Sequence, residues 1–447
     1  MRSRTIHGAR GRLLLAGLVA SSIALGLTGC GGSTPTATGT ATGAPAAGKT
    51  EITLSMQNPD VKTADPATWS IIQAFEAANP NIKVTVSGEA VAEHLQKLSI
   101  AAQSDTLPDI FWIYKANAEE MQQAGKLLDL KPLLDEVGVT KNLPPSTVAN
   151  FTANGSMYGV PYQQLLTGLW VNNKILQDNG LTMPKTFEEL VTVAKALHSK
   201  GITTISNGAN QSSFSVWSFL VWLDRFGYED KVAGLLDGSV KYNNPDFLRM
   251  YEHIAELRDA GAFPSNVSTQ TYQQAVSQFT SGKAAMLDAG VWASSAIQGS
   301  EVAPNIGFWQ GPQFSDGVGN QNIFMNVASA PLVVTKKVSS NPGKLDAVKK
   351  FLAFYYGDKG QQFLVDNGQP PVTTYQPQVD ATKQGVLKVA LAASTAAGVS
   401  SPKSQPDLLV PTQVANAMYD SIYGVIQNQL TPAAALDLVQ KALDANR

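Results

Sequence analysis

Side chains able to do covalent or metal chemistry are few in this 447-residue sequence: one cysteine, Cys30, and four histidines, His7, His94, His198 and His253. A lone cysteine excludes an intramolecular disulfide framework and every multi-cysteine metal site, and no HExxH pair occurs. Neither a GxSxG elbow nor a P-loop is present, and Gly317-Val318-Gly319 lacks the third glycine of a dinucleotide fingerprint. The acidic pairs Glu119/Glu120 and Glu188/Glu189 are adjacent on helical segments, so their members diverge by about 100° and read as solvated faces. Two carboxylates about 5–9 Å apart would serve glycoside hydrolysis, a class that spacing alone leaves open. Charged residues make up only 15%, against about 25% in an ordinary globular chain. Such a composition suits binding through aromatic faces and neutral hydrogen-bonding groups. With 33 basic against 35 acidic side chains, there is no basic face for nucleic acid.

The elements that must carry such groups alternate. Residues 52–56, 82–86 and 109–114 read as strands, and 69–78 and 90–103 as helices between them, the pattern of a mostly parallel α/β sheet. A second series follows. Helices are predicted over 186–199, 215–226, 246–260 and 272–281, with strands over 168–172, 284–287, 306–309 and 330–335 and five further helices to the end. Trp217 and Trp222, five apart on one helix, read as core. The length asks for two or three domains.

The first thirty residues read as an address. Arg2, Arg4, Arg10 and Arg12 precede an uncharged apolar run, 13–27, that is shorter than the roughly 20 residues a membrane span needs. Leu27-Thr28-Gly29-Cys30 resembles the lipobox of bacterial lipoproteins, which implies cleavage after residue 29 and a lipid on Cys30. Residues 30–50 are rich in Gly, Ser, Thr, Ala and Pro and read as a flexible tether.

Longer blocks carry a second resemblance. Leu107-Pro108-Asp109-Ile110-Phe111-Trp112, Gly125-Lys126-Leu127-Leu128-Asp129-Leu130 and Tyr158-Gly159-Val160-Pro161-Tyr162 run in order along the chain. So do Leu169-Trp170-Val171-Asn172-Asn173-Lys174, Pro184-Lys185-Thr186-Phe187-Glu188-Glu189-Leu190, and Phe279 to Met286 followed by Gly290-Val291-Trp292. Together they resemble the extracellular solute-binding proteins of bacterial ABC importers, carbohydrate type. Val171 departs from the tyrosine usual there, which leaves the local packing open.

The resemblance implies a two-lobe, periplasmic-binding-protein-like (type II) α/β fold with a hinge and a central cleft. Residues 51–163 with 304–355 are expected in lobe one, and 164–303 with 356–447 in lobe two. It implies a monomer that captures a mono- or oligosaccharide at the extracytoplasmic face and hands it to permease subunits, with no cofactor, metal or catalysis. The ligand-facing candidates it gives are Gln57, Asn58 and Asp60 after the first strand, Trp112 and Tyr114, and Tyr162, Gln163 and Gln164 at the crossover. Gln211, Trp292 as the leading stacking platform, and Asn416 complete the set. A lipid-anchored carbohydrate hydrolase is the rival class. A peptide, iron complex or glycerol phosphoester in the same fold is a third reading, although a phosphate would favour Arg or Lys and the candidates include neither.

Overall fold

The computed structural model describes residues 49–208 and 216–447. The leader, Cys30 and Gln211 lie outside them. Two sheets organise the described chain, each with its own core.

In the first sheet the strand order is Ile82–Gly88, Thr50–Met56, Ile110–Trp112, Pro331–Val334, Val160–Pro161. The first three are parallel and Pro331–Val334 runs antiparallel to both its neighbours. Ile52, Leu54 and Met56 alternate into the core. The crossover helix Pro66–Ala78 starts where Asp65 accepts from the Thr68 N–H and Pro66 needs no partner, and it buries Ile71, Ile72 and Phe75.

The second sheet is built on one nine-residue strand, Gln164–Asn172, buried along almost its whole length. Ala284–Gly290 pairs with it on one side, and Ile306–Trp309 and Met325–Ala328 share the other. Thr203–Ser206 lies beyond Ala284–Gly290. Val171 is fully buried opposite Met286 and Gly307.

The lobe boundaries differ from expectation at two places. Residues 304–328 belong with the second sheet, because both strands in that stretch pair with Gln164–Asn172 and Phe308 seats its ring on Trp170 at 4.3 Å. The chain returns to the first lobe only at Ser329. Residues 356–374 stay there: the Tyr356 hydroxyl donates to the Pro161 carbonyl (2.9 Å), Leu364 and Val372 enter the first core, and the Thr374 N–H bonds the Asn142 carbonyl (2.7 Å). From there on the helices Gly385–Ser394, Thr412–Ile426 and Pro432–Ala445 pack on the second lobe.

The crossings lie side by side. The Ser329 N–H donates to the Gln163 carbonyl (2.9 Å), and the Tyr162 N–H to the Ala330 carbonyl (3.4 Å). Further along, the hydroxyls of Ser294 and Ser295 hold the carbonyls of Gly368 and Asn367. Crossing segments held side by side suit a hinge.

Candidate functional site

The carboxyl ends of the first sheet's parallel strands are where an open α/β sheet offers a crevice. Gln57 follows one such strand directly, and Trp112 and Tyr114 end or follow another. These three and Gln163 form one wall of a cavity that opens to solvent. Facing them are Trp217, Leu165 and, from the C-terminal region, Gln405, Asp407, Leu408 and Tyr419. Ser329 and Ala330 of the crossing close the base. The cavity therefore touches both lobes and the hinge.

Aromatic rings stand on both sides. Trp112 meets Tyr114 edge-on at 4.8 Å, and across the cavity Trp217 meets Trp292 edge-on at 4.6 Å. Aromatic faces such as those of Trp112 and Tyr114 suit apolar C–H surfaces of a ligand. The polar complement includes unmet acceptors. Gln57 Oε1, Gln405 Oε1 and Asp407 Oδ1 are buried acceptors without a partner, and leaving such atoms unmet costs about 1–3 kcal/mol each. A ligand rich in hydroxyl donors would meet them. The other Asp407 oxygen accepts from the Tyr419 hydroxyl. Burial raises the Asp407 carboxyl above the ordinary range, and burial with the Asp407 charge pushes the Tyr114 phenol up to about 12. Among the described wall residues Asp407 is the one carboxylate.

Trp217 is aimed by a buried acid. It opens the helix Trp217–Arg225, which has no side-chain N-cap, and Asp288 on the neighbouring strand accepts from the Ser218 N–H instead (3.1 Å). Burial pushes the Asp288 carboxyl up to about 7 against its ordinary 3.8. Between those values the folded protein holds a proton that the unfolded chain has released, so stability falls as pH rises from about 4 to 7 and stays reduced above. Asp288→Asn keeps the acceptor without the charge. It is expected to match the parent near pH 4 and to melt higher at pH 8 in scanning calorimetry; equal melting at both pH values would contradict this.

The sequence candidates divide. Gln57, Trp112, Tyr114 and Gln163 wall the cavity. Trp292 stands one ring behind Trp217, its indole N–H donating to the Tyr272 hydroxyl (2.7 Å). Tyr162 is buried in the first core, with its hydroxyl on Asp65 (2.5 Å). Asp60 is exposed and caps the short helix Val61–Ala64, and the Asn58 carbonyl packs against Gly88. The Gln164 amide donates to Asn326 (2.8 Å). Asn416 lines an adjoining cavity that shares Tyr114, Asp407, Leu408 and Tyr419 with the first. Trp222 is fully buried as expected, but Trp217 is a wall residue rather than core, and Gln405, Asp407 and Tyr419 were not among the candidates. Only Trp217 carried a local signal, an aromatic at a helix start just after a polar loop.

The chain matches the family model of the bacterial extracellular solute-binding protein over residues 59–362. It is 22% identical over 433 residues to the maltodextrin-binding protein of Bacillus subtilis, which covers 95% of this chain and 96% of that one. It is 23% identical over 330 residues to the multiple sugar-binding protein of Streptococcus mutans, covering 70% and 73%. Among solved structures, a chitin oligosaccharide binding protein superposes with a TM-score of 0.76 at 24% identity, over 89% of this chain and 99% of that one. With the family model spanning well over half of the sequence on the two-lobe fold, the chain belongs to the bacterial extracellular solute-binding protein family.

Proposed function

We propose that this chain is the substrate-capturing subunit of an ABC sugar importer, acting as a monomer at the outer face of the membrane. The observation that carries the reading is the cavity wall: aromatic rings from both lobes beside three buried, unmet acceptors. A sugar offers the matching surface, apolar C–H faces edged by hydroxyl donors. The relatives named for maltodextrin, multiple sugars and chitin oligosaccharide point the same way. Contacts from both lobes exist together only when the lobes are closed, so ligand shifts the hinge equilibrium by differential affinity. The closed form then presents the permease with a surface the open form lacks. Glycoside hydrolysis calls for two carboxylates, and the single Asp407 among the described wall residues favours capture over cleavage.

A melting-temperature screen of purified residues 49–447 over neutral mono- and oligosaccharides tests this. Ligand that binds only the folded state raises the midpoint, by about 2.7 kcal/mol of stability at a hundred times Kd. At least one sugar should do so and be recovered intact; a cleaved product would overturn the reading.

Leu27-Thr28-Gly29-Cys30 supports a lipid anchor on Cys30, with residues 31–50 as tether. Cys30→Ser is expected to move the protein from the membrane fraction to the medium, or to leave its leader uncut. Parent protein recovered unlipidated from culture fluid would contradict the anchor.

A further inference from the structure

We infer that His94 is the positioning residue of the first lobe's wall, holding the carboxyl ends of the strands Thr50–Met56 and Ile110–Trp112 apart so that Trp112 meets the ligand; this rests on the carbohydrate reading above. The two strands pair at Leu54 with Ile110 and at Ser55 with Phe111, and their register ends there. Just beyond, the Ile113 N–H donates to the Pro331 carbonyl on the other side of its strand (3.2 Å). Peptide groups alternate in direction along a strand, so the Trp112 carbonyl points back towards Thr50–Met56. The His94 ring meets it there, with Nε2 2.8 Å from the carbonyl oxygen. The imidazole thus stands where the ladder would otherwise run on. Beyond it, Gln57 and Trp112 part to wall the cavity.

A carbonyl only accepts, so Nε2 carries a proton, and on a neutral ring Nδ1 is then an acceptor. Nδ1 faces the Ser55 hydroxyl at 3.5 Å and the Glu89 carboxylate at 3.7 Å. Ser55 lies two residues before Gln57 on the first strand. Glu89 is itself fixed, its N–H on the Met56 carbonyl (3.2 Å) and its carboxylate on Lys97 (2.7 Å). One flat ring therefore ties both wall strands to the helix Val91–Ser104 that carries it, and Val91 is also a wall residue. The ring lies beside the Trp112 indole as well, with centroids 5.9 Å apart. His94 is fully buried and does not line the cavity, so it acts on a ligand only through what it holds. A buried carbonyl without a donor is costly. Without Nε2 the Trp112 peptide turns to find one, and the indole turns with it.

Isothermal titration of residues 49–447 with glucose, galactose, maltose, cellobiose, xylobiose and diacetylchitobiose tests the inference, the tightest of these serving as probe. His94→Gln can set an amide N–H where Nε2 stands, whereas the shorter side chain of His94→Asn reaches only the Nδ1 position. His94→Gln should bind the probe within about threefold of the parent, and His94→Asn at least about tenfold more weakly, with both folded at the assay temperature by melting scans. A role in stability alone would lower the melting temperature and leave the two affinities alike. Equal affinities in the two variants would therefore overturn the inference and leave the carbohydrate reading standing. No heat with any of these sugars would overturn both. Nitrogen-15 NMR of the histidine rings gives a second reading that needs no sugar. The His94 ring, identified by its loss in either variant, should carry its proton on Nε2; a ring bare at Nε2 would overturn the inference whatever the affinities.

Discussion

Trp217→Ala is expected to weaken sugar binding by roughly thirty- to a thousand-fold, about 2–4 kcal/mol, as loss of a desolvated aromatic anchor does. The indole lies at the head of its helix, half-buried, with the cavity before it and Trp292 behind. Removing it takes away the second lobe's ring face while leaving Trp112 and Tyr114 in place. Trp292→Ala should act differently. That ring packs against the apolar cluster of Leu165, Met325 and Val327 and donates its indole N–H to Tyr272, and it does not line the cavity, so its removal should lower the melting temperature of ligand-free protein more and the affinity less. Calorimetry on both variants, with and without sugar, separates the roles. The reverse ranking of affinities would make Trp292 the platform and Trp217 its support.

Arg225→Ala is expected to cost about 3–5 kcal/mol of stability, because it leaves three carbonyls without their donor at about 1–3 kcal/mol each. Its guanidinium is fully buried at the end of the Trp217–Arg225 helix and donates to the carbonyls of Gln310 (2.7 Å), Gln321 (3.3 Å) and Ile323 (3.1 Å). Burial lowers its pKa to about 10, which leaves it charged at neutral pH. In return its own carbonyl accepts from the Gly319 N–H (2.7 Å) and the Gln321 amide (2.9 Å). One side chain thus fastens the 310–323 loop, and with it the strand leading to Ser329 in the cleft, to the helix that carries Trp217. Arg225→Lys keeps the charge without the planar fork and should recover only part of the loss. Urea unfolding measures both; a cost for Arg225→Ala below about 1 kcal/mol, the size of a single neutral hydrogen bond, would contradict this account.

Local pattern made much of the fold readable. The helix Phe187–His198 begins at Thr186 with a capping box closed by Glu189, and its apolar stripe faces the core, all visible as spacing. Gln57, Trp112 and Tyr114 came with the family resemblance, and the fold sets them at the carboxyl ends of parallel strands, where an open sheet offers a crevice. Sheet membership was less accessible. Ile306–Trp309 is four residues long and apolar, and nothing local says whether it pairs with Gln164–Asn172 or with the first sheet; the seat of Phe308 on Trp170 decides it. The opposite wall was hidden for the same reason. Gln405, Asp407 and Tyr419 lie some three hundred residues from Tyr114 in sequence and meet it only through tertiary packing. Trp292 follows the Gly290 turn as expected, yet its ring folds back over that glycine: a Cβ there would lie 2.1 Å from the indole. That close approach turns the ring behind Trp217, a rotamer no spacing reveals.

The central claim, sugar held between two lobes by rings from each, is tested most directly by calorimetric titration of residues 49–447 alongside Trp217→Ala and Trp112→Ala, one ring from each lobe. The account predicts a single site per chain with a Kd around micromolar, about −8 kcal/mol, strong loss in both variants, and intact sugar at the end. Undiminished affinity in either variant, or no heat with any neutral sugar, would contradict it.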